Sequence, residues 1–200
     1  MIEAIVLAAG RGTRMGAIKP LLSIEGKPAL SQILWRIRSA GVSRPILVLG
    51  ESARRIEEAV DLRPCRVVVN TTPERGLSRS LDLGLRAVSP GARGVLIFQA
   101  DMPFLKTETI RTVLRAATEG VKIAAPHYRG ERGFPVYFHR SCFPGLLCSL
   151  SGDSGGRAYI DAHRDELTPI TVDDAGCVRD IDRPTDLAPT GGDRVCATDA

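Results

Sequence analysis

Aromatic side chains are scarce in this sequence. Its 200 residues include five phenylalanines, three tyrosines and one tryptophan. Proteins that hold single-stranded nucleic acid stack the bases on aromatic rings, so this scarcity argues against a nucleic-acid partner. The formal net charge of +4 does not change that conclusion, because the basic residues are spread along the chain instead of forming one run. A small phosphorylated ligand accounts for the charge as well as a polynucleotide does.

Long apolar runs are also missing. No stretch approaches the roughly 20 residues that a membrane-spanning helix needs, and the N-terminus leads directly into a strand-like segment without a signal-peptide pattern. We therefore expect a cytoplasmic protein with no membrane partner. The cysteines are irregularly spaced and form no C-x-x-C, which argues against a disulfide framework and against a zinc site. They are Cys65, Cys142, Cys148, Cys177 and Cys196.

Short apolar runs alternate with amphipathic segments along the first two thirds of the chain. Apolar runs without polar alternation are typical of strands buried on both faces of a parallel sheet. Such runs occupy residues 2–8, 44–50, 65–70 and 93–100. Helical patterns between and after them include residues 29–41, 77–88 and 107–118. The order predicts a three-layer α/β/α fold with a mostly parallel, Rossmann-like sheet.

The pattern changes after the strand-like segment at residues 121–126. A basic turn, HYRGERG, and a second strand-like segment at 134–140 predict a β-hairpin insertion. Further on, we expect helices at about 141–149 and 155–163, and short strands near 167–172 and 177–181. Residues 1–188 are predicted to form one domain, and residues 189–200, which lack periodic apolar positions, to form a disordered tail.

A glycine-rich basic loop, LAAGRGTRMG at 7–16, follows the first predicted strand, and Lys19-Pro20 follows the loop. Ligands of open α/β sheets bind beyond the carboxyl ends of the strands, where this loop is expected to lie. Glycine N–H groups can approach phosphate oxygens, and Arg11, Arg14 and Lys19 add charge-assisted hydrogen bonds. The G-x-G-x-x-x-G spacing matches neither the P-loop nor the dinucleotide fingerprint. The loop predicts a triphosphate site, with a tight solvated turn as the alternative.

Carboxylates follow two other predicted strands. Asp101, in ADMPF, is a candidate magnesium ligand because one carboxylate beside bound phosphates suffices for this ion; a turn or capping role is the alternative. Alternation puts Asp180 and Asp182 on one side of a short strand, and Asp182, nearer the turn, is the preferred second ligand. Its alternative is a helix N-cap. Asp153 is expected to be a turn or capping residue.

Two polar stretches are candidates for the remaining parts of a ligand. The first opens a helix and offers backbone and hydroxyl groups for a base, with capping by the serine at 78 as an equal alternative. Its residues are Gly76, Ser78 and Ser80. The second is basic and suits an anionic acceptor, with a plain surface hairpin as the alternative. Its residues are Arg129, Arg132 and Gly133.

Taken together, these motifs resemble the MobA-like NTP transferase family, and within it the molybdenum cofactor cytidylyltransferases, which have a glycosyltransferase-A-like nucleotidyltransferase fold. The resemblance spans roughly residues 4–187. It is carried by six motifs in order: LAAGRGTRMG with KPLL, GLSRSLDLGL, ADMPFL, GERGFPVYF, GDSGGR and DIDRPTDL. Six motifs in register are far more specific than any one of them.

The resemblance implies transfer of a nucleoside monophosphate from a nucleoside triphosphate to a small phosphorylated acceptor, with pyrophosphate released and Mg²⁺ as cofactor. It implies that Lys19, Asp101 and Arg14 are catalytic, and that Asp101 and Asp182 bind the metal. It also assigns the triphosphate to Lys19 and the loop backbone. The loop residues are Leu7, Ala8, Ala9, Gly10, Arg11 and Gly12.

The resemblance extends to the base and the acceptor. The loop reads LAAG, with Ala9, as in the cytidylyltransferase branch, which implies CTP, molybdopterin as acceptor, and a molybdoenzyme or chaperone as protein partner. That branch usually has G-x-R-G-H-P in the hairpin, whereas this chain has Phe134 in place of the histidine. A sugar phosphate or another small phosphate ester therefore stays open as acceptor. A non-catalytic module that binds a nucleotide also stays open. A dehydrogenase is disfavoured because the glycine spacing of the loop does not match the dinucleotide-binding fingerprint.

Overall fold

The structure, a computed structural model, describes residues 1–10 and 18–181, which form helices on both faces of one large sheet. The strands are β1 Ile2–Ala8, β2 Ser23–Ile24, β3 Lys27–Pro28, β4 Ile46–Leu49, β5 Arg66–Val69, β6 Gly94–Gln99, β7 Ile123–Tyr128, β8 Glu131–Arg132, β9 Val136–His139 and β10 Leu167–Thr171. The helices are α1 Ala29–Ser39, α2 Ala53–Ala59, α3 Leu77–Arg86, α4 Thr107–Thr118, α5 Phe143–Ser149 and α6 Arg157–Ala162. Single 3₁₀ turns lie at Lys19–Leu21, Pro73–Arg75, Arg140–Cys142, Arg164–Glu166 and Ala175–Cys177.

The main sheet has the strand order β10-β7-β9-β6-β1-β4-β5, with β8 paired to β7. Pairing is parallel between β1 and both of its neighbours, between β4 and β5, and between β7 and β10. Strand β9 runs antiparallel between β6 and β7, so the segment after the hairpin enters the middle of the sheet. The mostly parallel sheet expected from the sequence is confirmed.

Two apolar cores, one on each face of the sheet, make the three layers. Along β1, Ala4 and Val6 join the core under α1, α2 and α4, whereas Ile5 and Leu7 join the core under α3, α5 and α6. Because successive strand residues point to opposite faces, a strand buried on both sides has apolar residues at consecutive positions. That requirement explains the run at residues 4–8, whereas the buried Glu3 of the same strand is paired with Arg66 over 3.1 Å.

The two strand-like segments expected to form the hairpin correspond to β7 and β9, which pair antiparallel. The segment expected as the turn is itself mostly paired, because the end of β7 and β8 form a tight hairpin within it. Its two turn residues, Arg129 and Gly130, have φ values of 51° and 86°. Positive φ at both central positions is the geometry of a tight two-residue β-hairpin, and it joins Tyr128 to its partner Glu131. The insertion therefore projects from the end of β7.

The segment predicted as a strand at 177–181 is not one. It begins in the 3₁₀ turn Ala175–Cys177 and continues without ladder hydrogen bonds to Ile181, so that prediction is wrong. Ile181 is fully buried, and its N–H donates to the carbonyl oxygen of Asp101 over 2.9 Å. A single anchoring hydrogen bond replaces the expected strand pairing. None of the helices in the described ranges combines the length and apolarity that crossing a bilayer requires.

Candidate active site

The crossover of the chain from β5 to β6 creates a crevice at one edge of the sheet. Strands β4 and β5 lie on one side of β1, and the chain then returns to place β6 on the other side. Leu7 pairs with Gln99, and the Ala100 N–H donates to the Leu7 carbonyl over 3.0 Å. The segments that follow β1 and β6 consequently leave the sheet side by side. In open α/β sheets this switch point is where ligands bind.

The cavity in this crevice, the first cavity, has a volume of about 400 Å³. Its lining comes from the end of β1, the 3₁₀ turn after the glycine-rich loop, the entry to α3 and the end of β6. The lining residues are Leu7, Ala8, Ala9, Gly10, Lys19, Pro20, Pro73, Glu74, Gly76, Leu77, Ser80, Gln99, Ala100, Asp101 and Asp153. Most of the residues that the sequence assigned to a nucleotide and that the structure describes therefore meet at one cavity.

Lys19 and Asp101 form an ion pair in this cavity. The Nζ of Lys19 lies 3.6 Å from Oδ2 of Asp101, and the two side chains are 21% and 22% exposed. Lys19 begins a 3₁₀ turn whose next residue, Pro20, is buried, which anchors the backbone that carries the ammonium group. The partial burial of both charges weakens screening by water. A cationic and an anionic group are thus held next to each other in the cavity.

The residues present fit a magnesium ion. Asp101 offers a hard carboxylate in the wall of an open cavity, and magnesium commonly takes one or two carboxylates together with substrate phosphates and water. Within residues 1–10 and 18–181 no three His, Cys, Asp or Glu side chains come together as a metal cage. The donor chemistry therefore suits an ion shared with a substrate, rather than one enclosed by protein alone.

The entry to α3 is shaped by a segment distant in sequence. The Leu77 N–H donates to Oδ1 of Asp153 over 3.0 Å, and the Ser78 N–H donates to the Gly152 carbonyl over 3.0 Å. Gly76 has a φ of 83°, and a Cβ there would lie 2.6 Å from the Asp153 carboxylate. Asp153 is therefore a capping residue, as expected, but it caps α3 instead of the helix that follows it. Gly76 is required for this close packing.

The two serines of α3 have different surroundings. Ser80 lines the first cavity, and its Oγ accepts a hydrogen bond from Nδ2 of the buried Asn70 over 3.0 Å. Ser78 is buried, does not line this cavity, and faces a separate open cavity with Arg75 and Arg79. Its Oγ makes no hydrogen bond within the described residues. Of the two, only Ser80 is placed to meet a ligand in the first cavity.

A second cavity of about 290 Å³ adjoins the first. Leu7, Leu77, Gln99 and Asp153 line both. The other residues that line the second cavity are Leu81, Ile97, Arg132, Phe134, Val136, Phe138, Ser154, Gly155, Gly156, Arg157 and Ile160. The two cavities are therefore neighbours with a common wall.

The three residues predicted for the acceptor separate in the structure. Arg132 lines the second cavity, where burial lowers the pKa of its guanidinium group. Gly133 instead packs against Cys177, so closely that a Cβ at this position would overlap the Cys177 carbonyl oxygen. Arg129 lines neither of these two cavities, and its guanidinium lies 5.2 Å from the centre of the Tyr128 ring. Arg132 is the one that the structure brings to a cavity.

Several residues that line the two cavities were not predicted as site residues from the sequence. Gln99 reaches the crevice because it pairs with Leu7, and Phe134 and Arg157 reach it through the hairpin and the GDSGGR segment. The six-motif resemblance included both segments, which was the available signal. Four predicted residues lie outside the described residues: Arg11, Gly12, Arg14 and Asp182.

Residues 4–167 match the MobA-like NTP transferase domain. This chain belongs to that family. The membership agrees with the glycine-rich loop at the end of β1, the Lys19–Asp101 pair and the crevice at the β1/β6 switch point. The chain is accordingly a nucleotidyltransferase-family protein with the fold expected from its sequence.

Two relatives of known name match nearly the whole chain. Over 90% of this chain and 91% of the relative, it is 28% identical to the purine catabolism protein PucB of Bacillus subtilis. Over 90% of this chain and 92% of the relative, it is 25% identical to the nicotine blue oxidoreductase of Paenarthrobacter nicotinovorans. It also matches the bifunctional protein GlmU of Chromohalobacter salexigens with 31% identity, but spans only 26% of that protein.

A solved structure supports the same fold. Rv0371c of Mycobacterium tuberculosis H37Rv superposes with a TM-score of 0.82 and 32% identity, covering 92% of this MobA-like chain and 94% of that chain. A second structure of Rv0371c is a complex with manganese, and it superposes with a TM-score of 0.79. A relative with this fold thus takes a divalent cation.

Proposed function

We propose that this MobA-like protein transfers a nucleoside monophosphate from a nucleoside triphosphate to a small phosphorylated acceptor and releases pyrophosphate. The observation that carries the proposal is the Lys19–Asp101 pair, 3.6 Å apart, inside a cavity at the switch point of the sheet. The family membership supports it. The triphosphate would occupy the first cavity, and the acceptor would enter from the second.

The chemistry needs no nucleophilic side chain. A phosphate oxygen of the acceptor attacks the α-phosphorus in line, the bond to the bridging oxygen breaks, and its electron pair leaves with pyrophosphate. Lys19 and Arg14 would stabilise the negative charge on the triphosphate, and glycine N–H groups of the loop would hold its oxygens. Asp101, with Asp182 as a second ligand, would hold Mg²⁺, which supplies charge neutralisation when bound.

CTP is the preferred nucleotide in this proposal, and molybdopterin the preferred acceptor. Both rest on the resemblance of LAAG, with Ala9, to the cytidylyltransferase branch. The alternatives are a sugar phosphate or another small phosphate ester as acceptor, and a non-catalytic module that binds a nucleotide. If molybdopterin is the acceptor, we also propose a molybdoenzyme or a chaperone as protein partner.

Pyrophosphate release tests the proposal. The protein is mixed with CTP, GTP, ATP or UTP, with and without Mg²⁺, and with molybdopterin or glucose 1-phosphate. We expect release that requires a triphosphate, Mg²⁺ and an acceptor together, and is fastest with CTP and molybdopterin. Binding of CTP without release under any combination would support the non-catalytic module and contradict the proposal.

Substitutions at the ion pair test the assigned roles. Asp101→Ala should lower transfer by about 100-fold or more, because a fixed charge at the reacting phosphates is lost, while the protein stays folded. Lys19→Ala should chiefly weaken triphosphate binding. Asp165→Asn, an exposed carboxylate that lines neither cavity, is the control. Near-normal turnover in Asp101→Ala would contradict the assignment.

The relative named nicotine blue oxidoreductase supports a second candidate function, an oxidoreductase, because the match covers 92% of that protein. The loop spacing argues against a dinucleotide fingerprint in this chain. Oxidation of NADH or NADPH, followed by absorbance with each acceptor present, separates the two functions. Nicotinamide turnover without pyrophosphate release would favour the oxidoreductase.

A further inference from the structure

The second cavity has walls that resemble a protein core. Five of its lining residues, Leu81, Ile97, Val136, Phe138 and Ile160, belong to the apolar core beneath α3, α5 and α6. Phe134 packs against the same core and is half-buried. Concave apolar walls with a few polar groups are typical of small-molecule sites. A ligand with an apolar face would gain from burial against Phe134.

Arg132 adds a positive charge to this apolar wall. Within the described part of the chain its guanidinium makes no hydrogen bond or ion pair, and burial lowers its pKa. A half-buried cation carries a desolvation cost, which the longer-range attraction of Asp161 reduces and which an anionic ligand would offset further. At the rim, Arg157 is 77% exposed and lies 3.7 Å from Asp161. The charge of the cavity therefore suits an anion at Arg132.

Phe134 is held in place by contacts outside the cavity. Its N–H donates to the Cys177 carbonyl over 2.8 Å, and the preceding Gly133 donates to the Pro126 carbonyl over 2.8 Å. Gly133 also packs too closely against Cys177 to allow a side chain. The ring is thereby presented on a fixed backbone. A phenyl ring at this position offers a flat apolar surface and no hydrogen-bonding group.

We propose that the second cavity binds the acceptor through an apolar ring that packs on Phe134, with its anionic group paired to Arg132. Phe134 is then a specificity residue, which favours ring-bearing phosphates over plain sugar phosphates. The inference rests on the proposed function, because the four residues shared with the first cavity place this ligand next to the triphosphate.

Calorimetric titration with simple probes tests the inference. The probes are 1-naphthyl phosphate, 1-naphthol and glucose 1-phosphate, each added to the full chain. We expect 1-naphthyl phosphate to bind at least about tenfold more tightly than either other probe, since only it offers both the ring and the anion. Equal or tighter binding of glucose 1-phosphate would overturn the proposal.

Substitutions assign the two contacts. Phe134→Ala should weaken the binding of 1-naphthyl phosphate by about tenfold, and Phe134→Leu should weaken it by less. Arg132→Gln should weaken the binding of 1-naphthyl phosphate but leave the affinity for 1-naphthol unchanged. For the rim, Arg157→Gln is matched by Arg164→Gln, since both arginines pair with Asp161 and are 77% exposed, but only Arg157 lines the cavity. We expect only Arg157→Gln to weaken the binding of 1-naphthyl phosphate.

A parallel titration with CTP and Mg²⁺ separates the two proposals. Circular dichroism first shows which variants are folded, and Phe134→Leu replaces Phe134→Ala if the latter is not. Unchanged affinity for 1-naphthyl phosphate in the folded Phe134 and Arg132 variants would overturn this inference. If 1-naphthyl phosphate binds as expected but no nucleoside triphosphate binds the native chain, the proposed function fails and the cavity remains a site for ring-bearing anions.

Discussion

Gly50 determines how closely two strand ends approach each other beside the first cavity. It follows β4, and a Cβ at this position would lie 2.8 Å from the carbonyl oxygen of Ala9 and 3.1 Å from its Cα. Both are backbone atoms, which cannot move aside as the end of a side chain can. Since Ala9 lines the first cavity, the absence of a side chain at Gly50 directly affects the position of the cavity wall.

Gly50→Ala should therefore move Ala9 and weaken triphosphate binding. We expect a loss of about 1–3 kcal/mol in the free energy of unfolding, which is typical of overpacking, together with lower CTP affinity. Urea denaturation and calorimetry measure the two effects. Gly91→Ala is the matched control, because a Cβ there meets nothing within 4 Å. If both variants bound CTP equally and were equally stable, this account of Gly50 would be wrong.

At the scale of elements, the segment 174–181 connects three parts of the site. The Asp174 carboxylate accepts hydrogen bonds from the Lys106 N–H over 2.8 Å, from the Thr109 hydroxyl over 2.6 Å and from the Gly176 N–H over 2.9 Å. Asp174 is 2% exposed. Its bonds fix the start of α4, while the Cys177 carbonyl holds the hairpin and the Ile181 N–H holds Asp101.

Asp174→Asn should loosen this segment. An amide keeps one acceptor oxygen but turns an NH₂ group toward donors that now lack a partner, which costs about 1–3 kcal/mol. We expect lower stability in urea and faster amide hydrogen exchange at Phe134 and Ile181. The neighbouring Asp173→Asn is the control, because Asp173 is exposed. Equal exchange at both amides in the two variants would contradict the connecting role.

For the molecule as a whole, buried thiols couple stability to alkaline pH. Burial raises the pKa of Cys177 from 9.0 to about 12, and burial also raises the pKa values of Cys142 and Cys65. In the unfolded chain a thiol loses its proton near its ordinary pKa. Between pH 9 and pH 12 the unfolded state therefore binds fewer protons than the folded state, so stability falls as the pH rises.

Cys177→Ala should make this alkaline loss less steep. Each proton difference changes the free energy of unfolding by about 1.4 kcal/mol per pH unit, so the slope should decrease by up to that amount. Urea midpoints between pH 7 and pH 11, measured with a reductant present, follow the change. Cys148→Ala is the control because Cys148 is exposed. An unchanged slope in Cys177→Ala would rule out this source of the pH dependence.

The sequence determined the layers of the fold and most of the residues that meet at the first cavity. Strands buried on both faces require unbroken apolar runs, and a phosphate site at a strand end requires glycine and cationic residues, so both are visible in local patterns. Lys19, Asp101 and the loop through Gly10 meet as these patterns suggested. The domain boundary at 188, the tail at 189–200 and the roles of Arg11, Gly12, Arg14 and Asp182 lie outside the described residues and stay predictions.

Tertiary structure alone decided the partners that are distant in sequence. It placed β9 between β6 and β7, turned the expected strand at 177–181 into an anchor for Asp101, and made Asp153 the cap of α3. It also separated Arg132 from Arg129 by giving only one of them a cavity wall. The physical reason is common to all four. A local pattern shows which face of an element is apolar, whereas the atom that a buried polar group meets depends on how the elements pack.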